Sequence, residues 1–182
     1  MNHAVFLDKD GTLLENIPYN VDPSRITFIA GVTEGLNVLK RMGYLLILIS
    51  NQSGLAKGYF DEKALHIKLD ALQTALTRER AGLDGMYYCP HHPDGTFEKY
   101  SMVCSCRKPR PGMLYRAAAE HDIDLSASWM IGDTLSDIEA GHRAGCKTIL
   151  LSCPNTLHGA SGATAEVTTF QDAVAAIRTS KI

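Results

Sequence analysis

An α/β fold, with a parallel sheet covered by helices on both faces, is predicted by three features of this sequence. Short runs of strand length alternate with segments of helical periodicity. The runs are almost wholly apolar, as strands buried on both faces must be. Polar and acidic residues gather just past the carboxyl ends of those runs, where open parallel sheets bind their ligands. The 182 residues are enough for one domain, spanning 1–182, with a sizeable core.

The first strand candidate, Ala4 to Leu7, runs straight into Asp8-Lys9-Asp10-Gly11-Thr12. Residues i and i+2 share a face of an extended chain, and the Gly11 turn leaves Asp8 and Asp10 free to face one site. Two carboxylates that close repel, unless a cation neutralises them or one of them holds a proton. A nucleophile beside a general acid/base requires the latter. One loop and one helix fill the chain from Gly11 to the second strand, Tyr44 to Ser50, which ends in Ser50-Asn51-Gln52-Ser53-Gly54. A helix follows Asp61, its possible N-cap, with Leu65, Leu69, Leu72 and Leu76 forming a core-facing stripe.

Met86 to Cys89 is the third strand. After it come a segment rich in cysteine and histidine, the turn Arg107-Lys108-Pro109-Arg110-Pro111-Gly112, and a helix from Met113. The prolines restrict the backbone around Lys108, which is unlike a freely moving surface lysine. Trp129 to Gly132 is the fourth strand and leads into Asp133, with Asp137 one helical turn further on the same face. Thr148 to Ser152 is the fifth. From Cys153 to Ala165 the chain is rich in Gly, Ser, Thr and Ala without periodicity, which predicts a surface loop. The last helix carries Phe170, Ala173, Val174 and Ile177 on one face and closes the fold. There are no internal repeats.

Composition excludes several classes. A formal charge of −2 gives no long-range field for nucleic acid, so an anionic substrate must be met by local cations and a metal. The longest apolar run, Tyr44 to Ile49, is far too short to span a bilayer, and the N-terminus enters the first strand with no signal-peptide pattern. A cytoplasmic, monomeric protein without membrane or nucleic-acid partners is expected. Five cysteines are odd in number, and three of them cluster with histidines, which favours metal binding over a disulfide framework. Cys146 and Cys153 stand apart and read as free thiols in or beside a strand.

The run Asp8-x-Asp10-Gly11-Thr12 resembles the first motif of the haloacid dehalogenase superfamily of phosphatases. That resemblance implies a three-layer, Rossmann-like fold, with Asp8 as the nucleophile that forms an aspartyl-phosphate. Asp10 would protonate the leaving oxygen and then activate water, so that one hard displacement becomes two easier ones. Ser50 matches the second motif and Lys108 the third, both stabilising the phosphoryl group, which needs positioning and charge neutralisation more than covalent help. Asp133 matches the fourth, binding Mg²⁺ with the Asp8 carboxylate and the Asp10 carbonyl, with Asp137 in an outer position. Mg²⁺ suits such a small set of oxygen ligands.

Cys89-Pro90-His91-His92-Pro93 and, eleven residues on, Cys104-Ser105-Cys106 supply three thiols and an imidazole. Four ligands in two pairs suit tetrahedral Zn²⁺, and a closed set of four implies a structural site in a loop of about residues 86–110. Cys-x-His-His-Pro followed by Cys-x-Cys-Arg-Lys-Pro-x-Pro-Gly-Met is similar to the D-glycero-D-manno-heptose 1,7-bisphosphate phosphatase family and its relative, the histidinol-phosphate phosphatase domain. In that pattern Cys89, His91, Cys104 and Cys106 bind zinc and His92 does not. The resemblance implies further that Asn16, Ile17, Pro18, Tyr19, Asn51, Gln52 and Ser53 contact a small phosphorylated sugar. Arg107 would recognise its second phosphate. It implies a zinc-loop insertion and no cap domain.

One departure stands out: the family often carries a lysine after the fourth-motif aspartate, and this chain has Thr134. The expected activity is removal of the 7-phosphate of the heptose bisphosphate on the route to activated heptose. Histidinol-phosphate phosphatase, a broad sugar phosphatase and a phosphotransferase are alternatives within the class. A non-catalytic, zinc-stabilised binding domain is the alternative outside it, and it has no need of Asp8, Asp10, Lys108 and Asp133 together.

Overall fold

The structure is a computed structural model, described for residues 1–152 and 161–180. In chain order its elements are β1 (His3–Leu7), α1 (Val32–Arg41), β2 (Tyr44–Asn51), α2 (Glu62–Arg78), β3 (Gly85–Cys89), α3 (Gly112–His121), β4 (Trp129–Gly132), α4 (Leu135–Ala144), β5 (Lys147–Leu151), β6 (Ala165–Val167) and α5 (Phe170–Thr179). The strands form one sheet in the order β3-β2-β1-β4-β5-β6, and every pairing is parallel. β1 is therefore flanked by β2 and β4, at the point where the strand order reverses. A crevice opens at the carboxyl end of the sheet there.

The pleat divides the core in two. Val5, Leu7, Leu46, Leu48 and Ile131 face α1, α2 and α5, whereas Ala4, Phe6, Ile47, Ile49 and Met130 face α3 and α4. Alternate residues of β1 thus enter opposite layers, and a fully buried strand has no polar face to show. This three-layer arrangement is the one expected. Among the described residues no separate cap domain covers the crevice, and no helix is long and apolar enough to cross a membrane.

Local signals account for the helices around the crevice. Asp61 caps α2 by accepting a hydrogen bond from the Ala64 amide at 2.7 Å, and Leu65, Leu69, Leu72 and Leu76 are all buried as the stripe predicts. Thr134 and Asp137 form a capping box at the start of α4, each side chain bonded to the other's backbone amide, and Gly145 closes the helix in the left-handed conformation. α5 buries Phe170, Ala173, Val174 and Ile177.

β6 was not expected. It has three residues, exposed or half-buried, at the sheet edge, too short for an alternation to register. Cys146 is buried and free, whereas Cys153 and most of the predicted surface loop lie outside the described residues.

Candidate active site

The crevice is built from the ends of β1, β2 and β4 and from the turn before α3. Asp8 follows β1, is 8% exposed, and is fixed by its amide donating to the Ile131 carbonyl of β4 at 3.0 Å. Lys108 reaches it from the turn. Its ammonium lies 2.5 Å from Asp8 Oδ1 and 2.7 Å from Asp137 Oδ1, and donates to the Ile49 carbonyl at 2.8 Å. Gly11 turns the chain at φ +86°, and a Cβ there would sit 2.1 Å from Asp133 Oδ2. Only glycine allows both that turn and that approach.

Burial pushes the Asp8 carboxyl up to about 7, with the neighbouring charges of Asp137 and Asp133 adding to it and Lys108 opposing it. Asp133 is pushed up to about 6, by burial and then by Asp137. For Lys108 burial works against the charge, but Asp137 and Asp8 outweigh it and hold the ammonium above its ordinary value. The acids therefore outnumber the cation that serves them.

A divalent cation fits this excess. Oxygens of Asp8, Asp133 and Asp137 lie within 4.8 Å of one another, and among the described residues Asp133 Oδ1 is buried with no hydrogen-bond partner. Hard carboxylate oxygens with one left unsatisfied suit Mg²⁺. The Asp10 side chain is not in that group. Its carboxylate pairs with the buried Lys9 ammonium at 3.0 Å.

A cavity of about 180 Å³ is lined by Asp8, Asp10, Asn16, Ser50, Asn51, Lys108, Asp133, Thr134, Ser136 and Asp137. Ser50, Asn16 and Asn51 thus join the acids, as the sequence predicts. Ile17, Pro18, Tyr19, Gln52, Ser53 and Arg107 lie outside that wall. Gln52 is buried and donates to Ser50 Oγ at 2.8 Å, while Asn51 and Lys108 exchange two hydrogen bonds of 3.1 Å between the Asn51 side-chain amide and the Lys108 backbone. Arg107 lines a neighbouring cleft of about 360 Å³ with Arg110 and Arg143.

Behind the crevice, Cys89, His91, Cys104 and Cys106 converge. The three sulfurs are 3.2 to 3.5 Å apart, and His91 Nδ1 is 3.4 Å from Cys106 Sγ and 3.7 Å from Cys89 Sγ. A tetrahedral zinc with Zn–S bonds of about 2.3 Å spaces its sulfurs by about 3.8 Å, so the cluster needs to open by only about 0.3 to 0.6 Å to form a zinc cage. His92 is outside it, and its Nδ1 accepts from the Asp94 amide. Tyr100 anchors the same loop in the core at 6% exposed, whereas Met102 and Val103 beside it are 44% and 66% exposed.

Two residues escaped sequence reasoning. Lys9 holds Asp10. Lys68 interrupts the leucine stripe of α2 and donates to the carbonyls of Asp22 and Arg25 at 2.6 and 2.8 Å, tethering the loop that carries Asn16 to Tyr19. A lysine at a core position was the available signal. Asp137, expected behind the metal, is also the ion-pair partner of Lys108 and a cap, which the sequence did not indicate.

Comparison with known proteins agrees with this geometry. A family model described as HAD-hydrolase-like matches residues 105–173. The chain is 47% identical to the D-glycero-beta-D-manno-heptose-1,7-bisphosphate 7-phosphatase of Photorhabdus laumondii over 148 residues, which is 81% of this chain and 79% of that protein. It is 42% identical to the Escherichia coli K12 protein of the same name over 81% of this chain and 78% of that one. Among solved structures it is similar to the D,D-heptose 1,7-bisphosphate phosphatase of B. bronchiseptica complexed with magnesium and phosphate. There the TM-score is 0.81 at 26% identity, and 99% of each chain is covered.

Proposed function

The chain belongs to the D-glycero-beta-D-manno-heptose-1,7-bisphosphate 7-phosphatase family, and on that premise we propose that it hydrolyses the 7-phosphate of this sugar bisphosphate through an aspartyl-phosphate on Asp8. The observation that carries the reading is the Asp8–Lys108–Asp137 chain beside Asp133 in one small crevice. A binding module has no use for two acids that burial, helped by the nearby charge of Asp137, holds at about 7 and about 6.

In the first half-reaction an Asp8 oxygen forms a bond to phosphorus while the bond from phosphorus to the C7 oxygen breaks. Asp10 gives its proton to that oxygen, which requires its carboxyl to leave Lys9. In the second, Asp10 takes a proton from water, the water oxygen bonds to phosphorus, and the Asp8–phosphorus bond breaks to free inorganic phosphate. Lys108 stays charged throughout and, with the Ser50 hydroxyl, meets the phosphoryl oxygens. The carboxylates of Asp8 and Asp133 and the Asp10 carbonyl, with Asp137 behind, would hold magnesium, which would supply positive charge toward the phosphoryl group.

The second phosphate falls to Arg107, which the zinc loop holds at the rim, where it donates to the His91 carbonyl at 3.2 Å. Asn16 to Tyr19, Asn51, Gln52 and Ser53 shape the sugar side. We place the enzyme in the cytoplasm as a monomer with one domain over residues 1–182. One continuous sheet supports the single domain, and thiols that would hold zinc must stay reduced, which supports a reducing compartment. Phosphate release from purified enzyme, Mg²⁺ and the β-anomer of the bisphosphate tests the reading. Turnover confined to histidinol phosphate would remove it.

A further inference from the structure

A sugar bisphosphate brings two anionic ends, and the crevice beside Asp8 takes one. Its volume of about 180 Å³ lies below the roughly 300–1,000 Å³ of pockets that enclose a drug-sized ligand, so the sugar and its far phosphate extend past the rim. Among the described residues, the nearby cations with no carboxylate within 4.0 Å include Arg110, and two of them act on each other.

Arg107 is one. The other is Lys57, whose ammonium donates to the Tyr19 hydroxyl at 2.8 Å and lies 5.1 Å from the centre of the Tyr19 ring. Among the described residues no carboxylate lies within 4.0 Å of either cation, while the positive charge of Arg107 is near enough to act against that of Lys57. Like charges gathered without a counter-ion leave a place for an anion.

The surroundings hold this cation in place at a cost to folding. Tyr19 has φ +55°, uncommon for a residue with a side chain. Its ring meets that of Tyr59 edge-on at 4.6 Å, and the two are 45% and 61% exposed, so little apolar area is buried in return. The zinc loop grips the backbone beside Lys57: the amides of Thr96 and Phe97 donate to the Ala56 carbonyl at 2.8 and 2.9 Å, and Thr96 Oγ1 donates to the Lys57 carbonyl at 3.2 Å. The loop that carries Arg107 therefore also fixes Lys57, and Lys68 fixes the loop that carries Tyr19.

We propose that Lys57, steadied by the Tyr19 hydroxyl, is a specificity-determining residue that binds the non-reacting phosphate of the bisphosphate together with Arg107. This rests on the function proposed above. Thr134, on the crevice wall, supplies no charge for the task.

The test compares kcat/KM for D-glycero-β-D-manno-heptose 1,7-bisphosphate with kcat/KM for p-nitrophenyl phosphate, which has a single phosphate, in wild type, Lys57→Ala, Lys57→Arg and Tyr19→Phe. The ratio between the two substrates should fall ~10- to 100-fold in Lys57→Ala, the loss carried by KM, as expected for a charge-assisted contact to phosphate. Lys57→Arg should restore most of it, and Tyr19→Phe should fall between. An unchanged ratio in Lys57→Ala, or an equal loss on both substrates, would overturn the assignment. If wild type itself shows no preference for the bisphosphate, the function proposed above fails, and the wild-type measurement alone identifies that failure.

Discussion

Lys108 and Asp137 form a buried ion pair, Nζ to Oδ1 2.7 Å, with each side chain 2% exposed. The other Asp137 oxygen accepts from the Thr134 amide and hydroxyl at the start of α4. One carboxylate thus joins the zinc-loop side of the crevice to the helix that follows Asp133, and it aims the Lys108 ammonium at Asp8. Removing one member of such a pair leaves the other charged and buried.

Asp137→Ala should therefore lose stability and activity together. Lys108 keeps Asp8 and the Ile49 carbonyl, so we expect a loss of about 2–4 kcal/mol, or a melting temperature lower by ~5–15 °C. Asp137→Asn keeps an oxygen for the cap and should recover much of the stability while kcat stays reduced. Equal melting temperatures for wild type and Asp137→Ala would show that the pair contributes nothing.

Asp8→Asn should abolish turnover, by ~10⁴-fold or more, because in the proposed mechanism no other group forms the covalent intermediate. The asparagine has nearly the same shape, so circular dichroism should match wild type. Residual activity near the wild-type rate would remove Asp8 as nucleophile.

Metal and proton compete for the same acids. Asp8 and Asp133 sit at about 7 and about 6 in the folded chain against an ordinary 3.8, so the folded state binds more protons than the unfolded state between these values. Their contribution to metal-free stability is fullest below about pH 4 and is lost as pH rises through about 6 and 7. Asp22 and Asp124, whose values are lowered by hydrogen bonds from Ser24 and Ser126, act with the opposite sign. The informative quantity is the difference between wild type and Asp133→Asn. With Mg²⁺ present, the wild-type melting temperature should rise more at about pH 8 than at about pH 5.5. An equal rise at both would contradict the assignment of these acids to the cation.

Cys104→Ser should lose zinc by elemental analysis, lower the melting temperature and depress activity, since Arg107 and Lys108 follow the cluster directly. Full zinc content in that variant would remove Cys104 from the ligand set.

What the sequence revealed and what it hid differ in range. Five strands, the Asp61 cap and the α5 face are local patterns, and the first-motif acids and the Cys/His cluster sit in short runs of fixed spacing, so all of these were legible. Lys9 and Lys68 were not, because a buried lysine declares itself only once its partners are in place, and for Lys68 those are carbonyls more than 40 positions away. Asn51 is named as a substrate contact by the family resemblance; that its side chain also clamps the Lys108 backbone, a pairing across 57 positions, is something no periodicity encodes. β6 failed for a different reason: three residues at a sheet edge give no period to detect.

The most direct test of the account is phosphate release with Mg²⁺ from both anomers of D-glycero-D-manno-heptose 1,7-bisphosphate, beside histidinol phosphate and fructose 1,6-bisphosphate. The account predicts a kcat/KM for the β-anomer at least ~10-fold above every other substrate, with the phosphate leaving from C7. A flat profile, or a preference for histidinol phosphate, would contradict it.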